Sequence, residues 1–411
     1  MSSPSRPLLH WLPSTPRVET FALIAGIEAL VRGGMLSVFP LLLYRAWGSA
    51  AVVSEIYFAI GLLSLLMALT VPALTRRIPR RRVYLGAIIL YTVSAVFGAI
   101  GGKMVTLALL CHASAAATSF VCFNAYVLDH VDRSDFSRLE TLRLLCSGLG
   151  WVVGPALGVW LLSLCSPAPF LLVATAALSM LLVVWHVRLG NGRSISRPRP
   201  RAAHPLANVQ RFMAQPRLVA GWFLALMRSS GWWFYFVYVG IYAVENGLGD
   251  KVGGMAASVA NLGLFLAPLM FRWMQKNSVR IAVRTGTLCG GICFFLGSAL
   301  WQWPWLALAM LVLGTLFLVL LDVAANLPFM MAVKPSERTE MSSVFSSFRD
   351  ASGILSPAIA WAVLLVSPVA GVFAAGGLGL IAAWAVAGRM HPQLGLSGAA
   401  RAQSRRVRPL D

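Results

Sequence analysis

Six charged side chains fall inside stretches that are otherwise almost wholly apolar. Glu28 and Arg32 stand one helical turn apart in "LIAGIEALVRGG" (23–34). Arg228 sits in "LALMRSSG" (224–231), Asp322 in "LVLLDVAAN" (318–326), and Arg349 with Asp350 in "SSFRDASG" (346–353). A charge carried deep into hydrocarbon costs about 3 kcal/mol or more, so each of these needs a partner, water or a task. Their chemistry is limited to two kinds. A carboxylate such as Asp322 or Glu28 can take up and release a proton from one side or the other. A guanidinium such as Arg32 or Arg228 can clamp a carboxylate or phosphate through two parallel hydrogen bonds. The three basic and three acidic groups sum to zero. They can therefore neutralise one another, and a proton or an ionic ligand must compete for partners already present.

Nothing else in the chain suggests bond-breaking chemistry. No nucleophile–base pair or metal-ligand cluster stands out in the apolar stretches. "GxxxxGK[ST]" is absent, which argues against nucleotide drive. The six cysteines, at 111, 122, 146, 165, 289 and 293, lie within or at the edge of apolar stretches and read as small packing residues. His112, in "LLCHASAAA", reads as hydrogen-bonded to a neighbouring helix. The expected function needs no bound cofactor.

The elements that position these charges follow from composition. The chain has 411 residues, 58% hydrophobic and 12% charged. That is too apolar for a soluble enzyme of this length. The apolar residues come in blocks of about 20, enough for a helix to cross roughly 30 Å of hydrocarbon. Twelve blocks are predicted: 20–44, 52–72, 83–101, 104–128, 144–164, 168–188, 218–243, 252–271, 281–300, 303–331, 342–366 and 369–388. There are eleven if the Ser367-Pro368 link is read through. In lipid the backbone must satisfy its own hydrogen bonds, so the blocks are helices.

The net charge of +20 is placed by topology rather than by nucleic acid. Alternate links are basic: "TRRIPRRR" (75–82); Arg193, Arg197, Arg199, Arg201 and Arg211; and Arg401, Arg405, Arg406 and Arg408 in the tail. The opposite links, such as "SLCSPAP" (163–169), carry almost no charge. This asymmetry predicts a multi-pass protein of the inner (plasma) membrane with both termini in the cytoplasm. The Pro-rich start of the chain has no signal-peptide core.

The chain repeats itself. Arg32 answers Arg228, 196 residues on, and "VPALTRR" (71–77) answers "APLMFRW" (267–273) at the same offset. "RLE" (138–140) answers "RTE" (338–340) at 200, and Pro155 answers Pro357 at 202. The expected organisation is a tail (1–17), a six-helix bundle (18–190), a polar cytoplasmic link (191–216), a second six-helix bundle (217–390) and a basic tail (391–411). Two copies in the same orientation place a ligand at midplane between them, and rocking exposes it to each side in turn.

With these features the sequence resembles the major facilitator superfamily over residues 18–390. The basic link "PALTRRIPRRR" (72–82) resembles that family's link between its second and third segments. Here Pro72, Arg76 and Pro79 replace the pattern's first Gly, its acid and its later Gly. "GLGWVVGPALG" (148–158) resembles the Gly-Pro motif of family antiporters, with Thr141 in place of its leading Gly. The resemblance implies an all-α integral membrane protein of twelve transmembrane helices, working by alternating access on a small solute.

The paired Arg32 and Arg228, with Pro40 eight residues after the first, are similar to the organophosphate antiporters of that superfamily. That likeness implies an anionic substrate held by both. Trp232 and Tyr235, in the run "GWWFYFVYVGIY" (231–242), would line the cavity and suit an amphipathic or ring-bearing solute. Asp322 and, less so, Glu28 are the proton candidates, energised by a proton gradient. Arg349, Asp350, Gly154, Pro155 and Arg76 are read as gating or structural. The stripe Gly150, Gly154, Gly158 reads equally as plain close helix packing.

The partners expected are lipid and a small molecule, with no nucleic acid, and the chain is expected to act as a monomer. The competing reading is a non-transporting membrane assembly factor or sensor with the same architecture.

Overall fold

The computed structural model describes residues 18–130, 135–186, 205–333 and 337–390. No strand occurs among them. The first six helices are α1 (Val18–Trp47), α2 (Ala50–Arg77), α3 (Arg80–Ile100), α4 (Val105–His130), α5 (Phe136–Leu164) and α6 (Ala168–His186). Then come α7 (Pro205–Met213), α8 (Pro216–Glu245), α9 (Asp250–Leu262), α10 (Ala267–Asn277), α11 (Val279–Ala299) and α12 (Pro304–Ala324). The last four are α13 (Leu327–Ala332), α14 (Arg338–Ser346), α15 (Phe348–Leu364) and α16 (Ala370–Ala387). Among the described residues, nine helical stretches are long and apolar enough to cross a membrane. Large apolar side chains lie on the outside, among them Leu66, Leu69, Leu144 and Leu171. A protein surrounded by water would avoid that exposure; one surrounded by lipid has no reason to.

Each predicted block coincides with helix, but three are interrupted. The block at 252–271 becomes α9, a 3-10 turn over Gly263–Leu266, and α10. The block at 303–331 ends as α12 and resumes as α13. Pro328 has no N–H and its ring crowds the preceding turn, which favours a fresh start there. The block at 342–366 divides at Ser347. The hydroxyls of Ser343, Ser346 and Ser347 each donate to a carbonyl on the turn before, 2.6–2.8 Å away. Such back-bonding competes with the regular ladder. The expected polar link also contains structure, because α7 is an amphipathic helix within it.

The chain divides into two compact units. The first comprises 1–47 and 62–195, the second 48–61 and 196–411. Residues 48–61 fall with the second unit in this division. Side-chain contacts accompany it. The hydroxyls of Ser54 and Tyr238 are 2.6 Å apart, Trp361 Nε1 donates to Glu55 at 2.7 Å, and Tyr57 meets Trp233 edge to face.

In the first unit, α1 crosses α5 backbone to backbone. A methyl group added at Gly33 would lie 2.5 Å from the Gly150 carbonyl oxygen. One at Gly154 would lie 2.6 Å from the Gly33 carbonyl carbon, and one at Gly158 would strike the Gly34 carbonyl. The stripe in α5 is thus a packing surface, and α5 runs straight through Pro155. In the second unit, α11 and α16 cross in the same way. A methyl at Gly377 would lie 2.7 Å from the Gly291 carbonyl oxygen.

Gly154→Ala is expected to destabilise the protein by about 1–3 kcal/mol through overpacking. Gly148→Ala, on the same helix with nothing within 4 Å of the new methyl, should leave it unchanged or slightly firmer. Thermal unfolding of the two purified variants in one detergent makes the comparison. Equal melting temperatures would contradict the glycine contact as a determinant of stability.

Candidate functional site

The charged groups of the second unit converge around Arg228 on α8. Arg228 is nearly enclosed, and its guanidinium pairs with Asp322 of α12 at 3.0 Å. The second carboxylate oxygen of Asp322 accepts from Trp232 Nε1, also at 3.0 Å. Trp232 follows Arg228 by one helical turn, so α8 holds both donors on the face presented to α12. The Trp232 ring stacks on Phe236 of the next turn, with centroids 5.0 Å apart and planes 9° from parallel. The guanidinium also lies over the ring of Phe348, at the start of α15, 5.2 Å from its centroid. The Nε atom of Arg228 is buried with no hydrogen-bond partner among the described residues.

Phe348 does not stand by itself. A run of aromatic contacts joins it to α7. Phe348 meets Phe345 at 5.2 Å, Phe345 stacks on Phe329 at 3.9 Å, and Phe329 meets Phe212 at 6.3 Å. These rings belong to one buried cluster with Leu218, Leu226 and Met341. Helix α7 is fastened to this cluster by Phe212. Its Arg211 lies 4.0 Å from Glu340, and Gln215 donates to Glu337 at 3.4 Å. The amphipathic helix of the link thus backs the ring on which Arg228 rests.

The first unit solves its charges differently. Glu28 of α1 is buried and accepts a 2.5 Å hydrogen bond from Ser119 of α4. Arg32 is half-buried, with its guanidinium 5.5 Å from the ring centroid of Trp151 on α5. Among the described residues it makes no ion pair within 4.0 Å. The i, i+4 pairing of Arg32 with Glu28, one of the readings open from the sequence, is therefore not formed. The hydroxyls of Tyr84 and Tyr91 and Nδ1 of His112 are also buried nearby without partners among the described residues. His112 packs between Phe39 and Tyr91, with ring centroids 5.2 and 5.1 Å away.

Tyr235, Arg349 and Asp350 lie in other surroundings. Tyr235 is fully buried and its hydroxyl donates to the Ala256 carbonyl at 2.9 Å, so its ring serves packing against Phe294. Phe236 stacks on Trp232, and Tyr235 meets the same ring edge to face. Arg349 and Asp350 are exposed, in the first turn of α15. Arg349 lies over the outer side of the Phe348 region, 5.7 Å from that ring's centroid. The side chain of Arg76 lies outside the described residues, as do residues 1–17 and 391–411.

Sequence reasoning missed Ser119, Trp151, Phe236 and Phe348. Only Trp151 carried a signal, as the one aromatic between Gly150 and Gly154.

The family model described as the Major Facilitator Superfamily matches residues 21–357. No curated protein sequence matches the chain. Several solved structures share the fold. A POT family transporter in complex with 5-aminolevulinic acid superposes with a TM-score of 0.72 at 13% identity, covering 91% of this chain and 97% of that one. The nucleoside transporter NupG gives 0.67 at 11%, covering 92% and 100%. A bacterial homologue of the iron transporter ferroportin, in its inward-facing state, gives 0.66 at 14%, covering 93% and 98%.

Asp322→Asn leaves the Arg228 guanidinium nearly enclosed and without its counter-charge, a situation that costs about 3–5 kcal/mol. Combining it with Arg228→Gln should restore much of the loss. A double-mutant cycle on thermal unfolding measures this. Additive losses would contradict an energetically coupled pair.

Proposed function

Because the chain belongs to the major facilitator superfamily, and is thus a membrane transporter rather than an enzyme, we propose that it is a proton-coupled secondary transporter of a small anionic or amphipathic organic solute. It works by alternating access of two six-helix halves, as an exchanger. The observation that carries this reading is the contrast between the two repeat-related arginines. Arg228 is held by Asp322. Arg32 is half-buried and has no acceptor among the described residues.

In this reading Arg32 offers unfilled donors to the substrate anion. In the second unit Arg228 becomes available to an anion when Asp322 gives up its hold. A proton on Asp322 cancels the carboxylate charge, leaves the Trp232 hydrogen bond in place and frees the guanidinium for the incoming anion. Loss of the proton restores the pair and expels the anion. The Asp322 carboxylate and the substrate anion thus compete for one guanidinium, so proton and anion bind together, and that linkage couples them. Trp232 and Phe236 present ring faces beside the pair and favour an amphipathic or ring-bearing solute. Glu28, held by Ser119, is the second proton candidate.

The fold neighbours are a transporter in complex with 5-aminolevulinic acid, a nucleoside transporter and a homologue of an iron transporter. That range favours argument from the residues over argument from the fold. The charge asymmetry of the links supports twelve crossings in the inner membrane with both termini cytoplasmic. A single chain supplies both halves, so the working unit is a monomer.

Replacing Arg32 by Gln should reduce binding of an anionic substrate at least tenfold, about the 1.4 kcal/mol that one charge-assisted hydrogen bond supplies. Unchanged affinity across a panel of carboxylates and phosphates would remove Arg32 from the site. Asp322→Asn in proteoliposomes should abolish accumulation driven by a pH gradient while sparing counterflow. Full gradient-driven accumulation in that variant would show that Asp322 is not the proton carrier. Absence of any counterflow by the unaltered protein would favour the non-transporting reading.

A further inference from the structure

The second unit holds another pair of arginines that nothing in the transport reading uses. Arg280 and Arg284 stand one turn apart at the start of α11. The glycine crossing of α11 with α16 sets the beginning of one helix beside the end of the other. Arg280 donates one hydrogen bond to the Gly388 carbonyl, at 2.6 Å. The Arg284 guanidinium lies over the Trp384 ring, 4.9 Å from its centroid. Neither contact neutralises a charge. The Nε atoms of both arginines are buried with no acceptor among the described residues. Neither side chain makes an ion pair there.

The sequence explains why no internal partner is available. No Asp or Glu occurs from Lys251 to Leu321, or from Ala351 to Leu410. Helices α9, α10, α11 and α16 thus contain a single acid between them, Asp250 at the start of α9. Over the same stretches Arg272 and Lys276 lie exposed on α10, and exposed Arg389 follows α16. Half-buried guanidinium groups with unfilled donors, and no counter-charge among the described residues, call for an anion from outside the chain.

The surroundings specify which anion. Phe271, Trp273 and Ile281 are exposed on the same two helices, α10 and α11. An inorganic ion gains nothing from such neighbours. A phospholipid does, because its acyl chains cover apolar surface while its phosphate meets the guanidinium groups.

We propose that Arg280 and Arg284 form a headgroup site for an anionic phospholipid at the junction of α10, α11 and the end of α16. Arg284, with no acceptor for its Nε among the described residues, takes the phosphate. Arg280 contributes the donors it does not give to Gly388. Lys276 and Arg272 favour a headgroup with net negative charge over a zwitterionic one. The site is independent of substrate recognition, so its test reads lipid binding and not transport.

The experiment uses the full-length chain purified in detergent and stripped of lipid. Native mass spectrometry counts bound molecules, and thermal shift follows titrations with phosphatidylglycerol, phosphatidylcholine and inorganic phosphate. Phosphatidylglycerol is expected to bind about tenfold more tightly than phosphatidylcholine, the preference expected from one or two arginines at a headgroup. The double variant Arg280→Gln, Arg284→Gln should erase that preference. Arg138→Gln, which removes an exposed pair with Glu19, should leave it intact. Should the double variant not fold, Arg284→Gln is measured instead, with a several-fold loss expected. A preference for phosphatidylglycerol that survives these variants overturns the site. Equal stabilisation by inorganic phosphate overturns its assignment to a lipid.

Discussion

A guanidinium carried into a stack of apolar helices must find an acceptor, and the second unit is arranged around that requirement. Arg228 takes Asp322 from α12. Asp322 takes Trp232 from the next turn of α8, and Trp232 leans on Phe236. The open face of the guanidinium rests on Phe348, which is backed by Phe345, Phe329 and Phe212. One charge thereby sets the contacts of α8, α12, α13, α14, α15 and the link helix α7. Each contact is modest, a cation–π pair being worth about 0.5–2 kcal/mol. Together they make the environment of Arg228 sensitive to a helix of the link whose Phe212 packs against the same rings.

The first unit carries the same arginine in the same repeat position and treats it otherwise. Its acid is on α1, not on the fourth helix of the half. It is bound by a hydroxyl, Ser119, rather than by the arginine. Arg32 is left to the face of Trp151. Both halves place the guanidinium over an aromatic ring from a corresponding helix, α5 in one and α15 in the other. The shared element is therefore the ring beneath the charge; the counter-ion is where the halves differ. Two copies of one plan can in this way hold one arginine engaged and one with donors to spare.

Much of this was legible from the chain itself, and the failures follow a pattern. Blocks of twenty apolar residues located the helices, because lipid permits few alternatives. The offset between Arg32 and Arg228 was visible because charges in such blocks are rare. The spacing of Gly150, Gly154 and Gly158 announced a smooth helix face, and α1 lies on it. What hydropathy does not register are the breaks at Gly263, Ser347 and Pro328, since apolar composition continues across them. It also says nothing about which way a side chain turns. Trp232 and Tyr235 are three residues apart in a run where every position is aromatic or apolar, yet one reaches Asp322 and the other the Ala256 carbonyl. Ser119 is one small hydroxyl among many, and only its place opposite Glu28 gives it a role. The partners of Ser54 and Glu55 lie nearly two hundred and three hundred residues later, beyond any local pattern.

The glycine crossing of α1 and α5 has a mechanical consequence. Where two backbones touch without intervening side chains, no rotamer can change to absorb a displacement, and the joint is stiff. Glu28 and Arg32 are mounted on α1 directly before Gly33 and Gly34, at that joint. They cannot be repositioned by sliding α1 along α5, because any shift would drive carbonyl into carbonyl. Whatever displaces Arg32 has to carry both helices as one piece. The contact therefore works as a weld, and it transmits movement to the charge without slack.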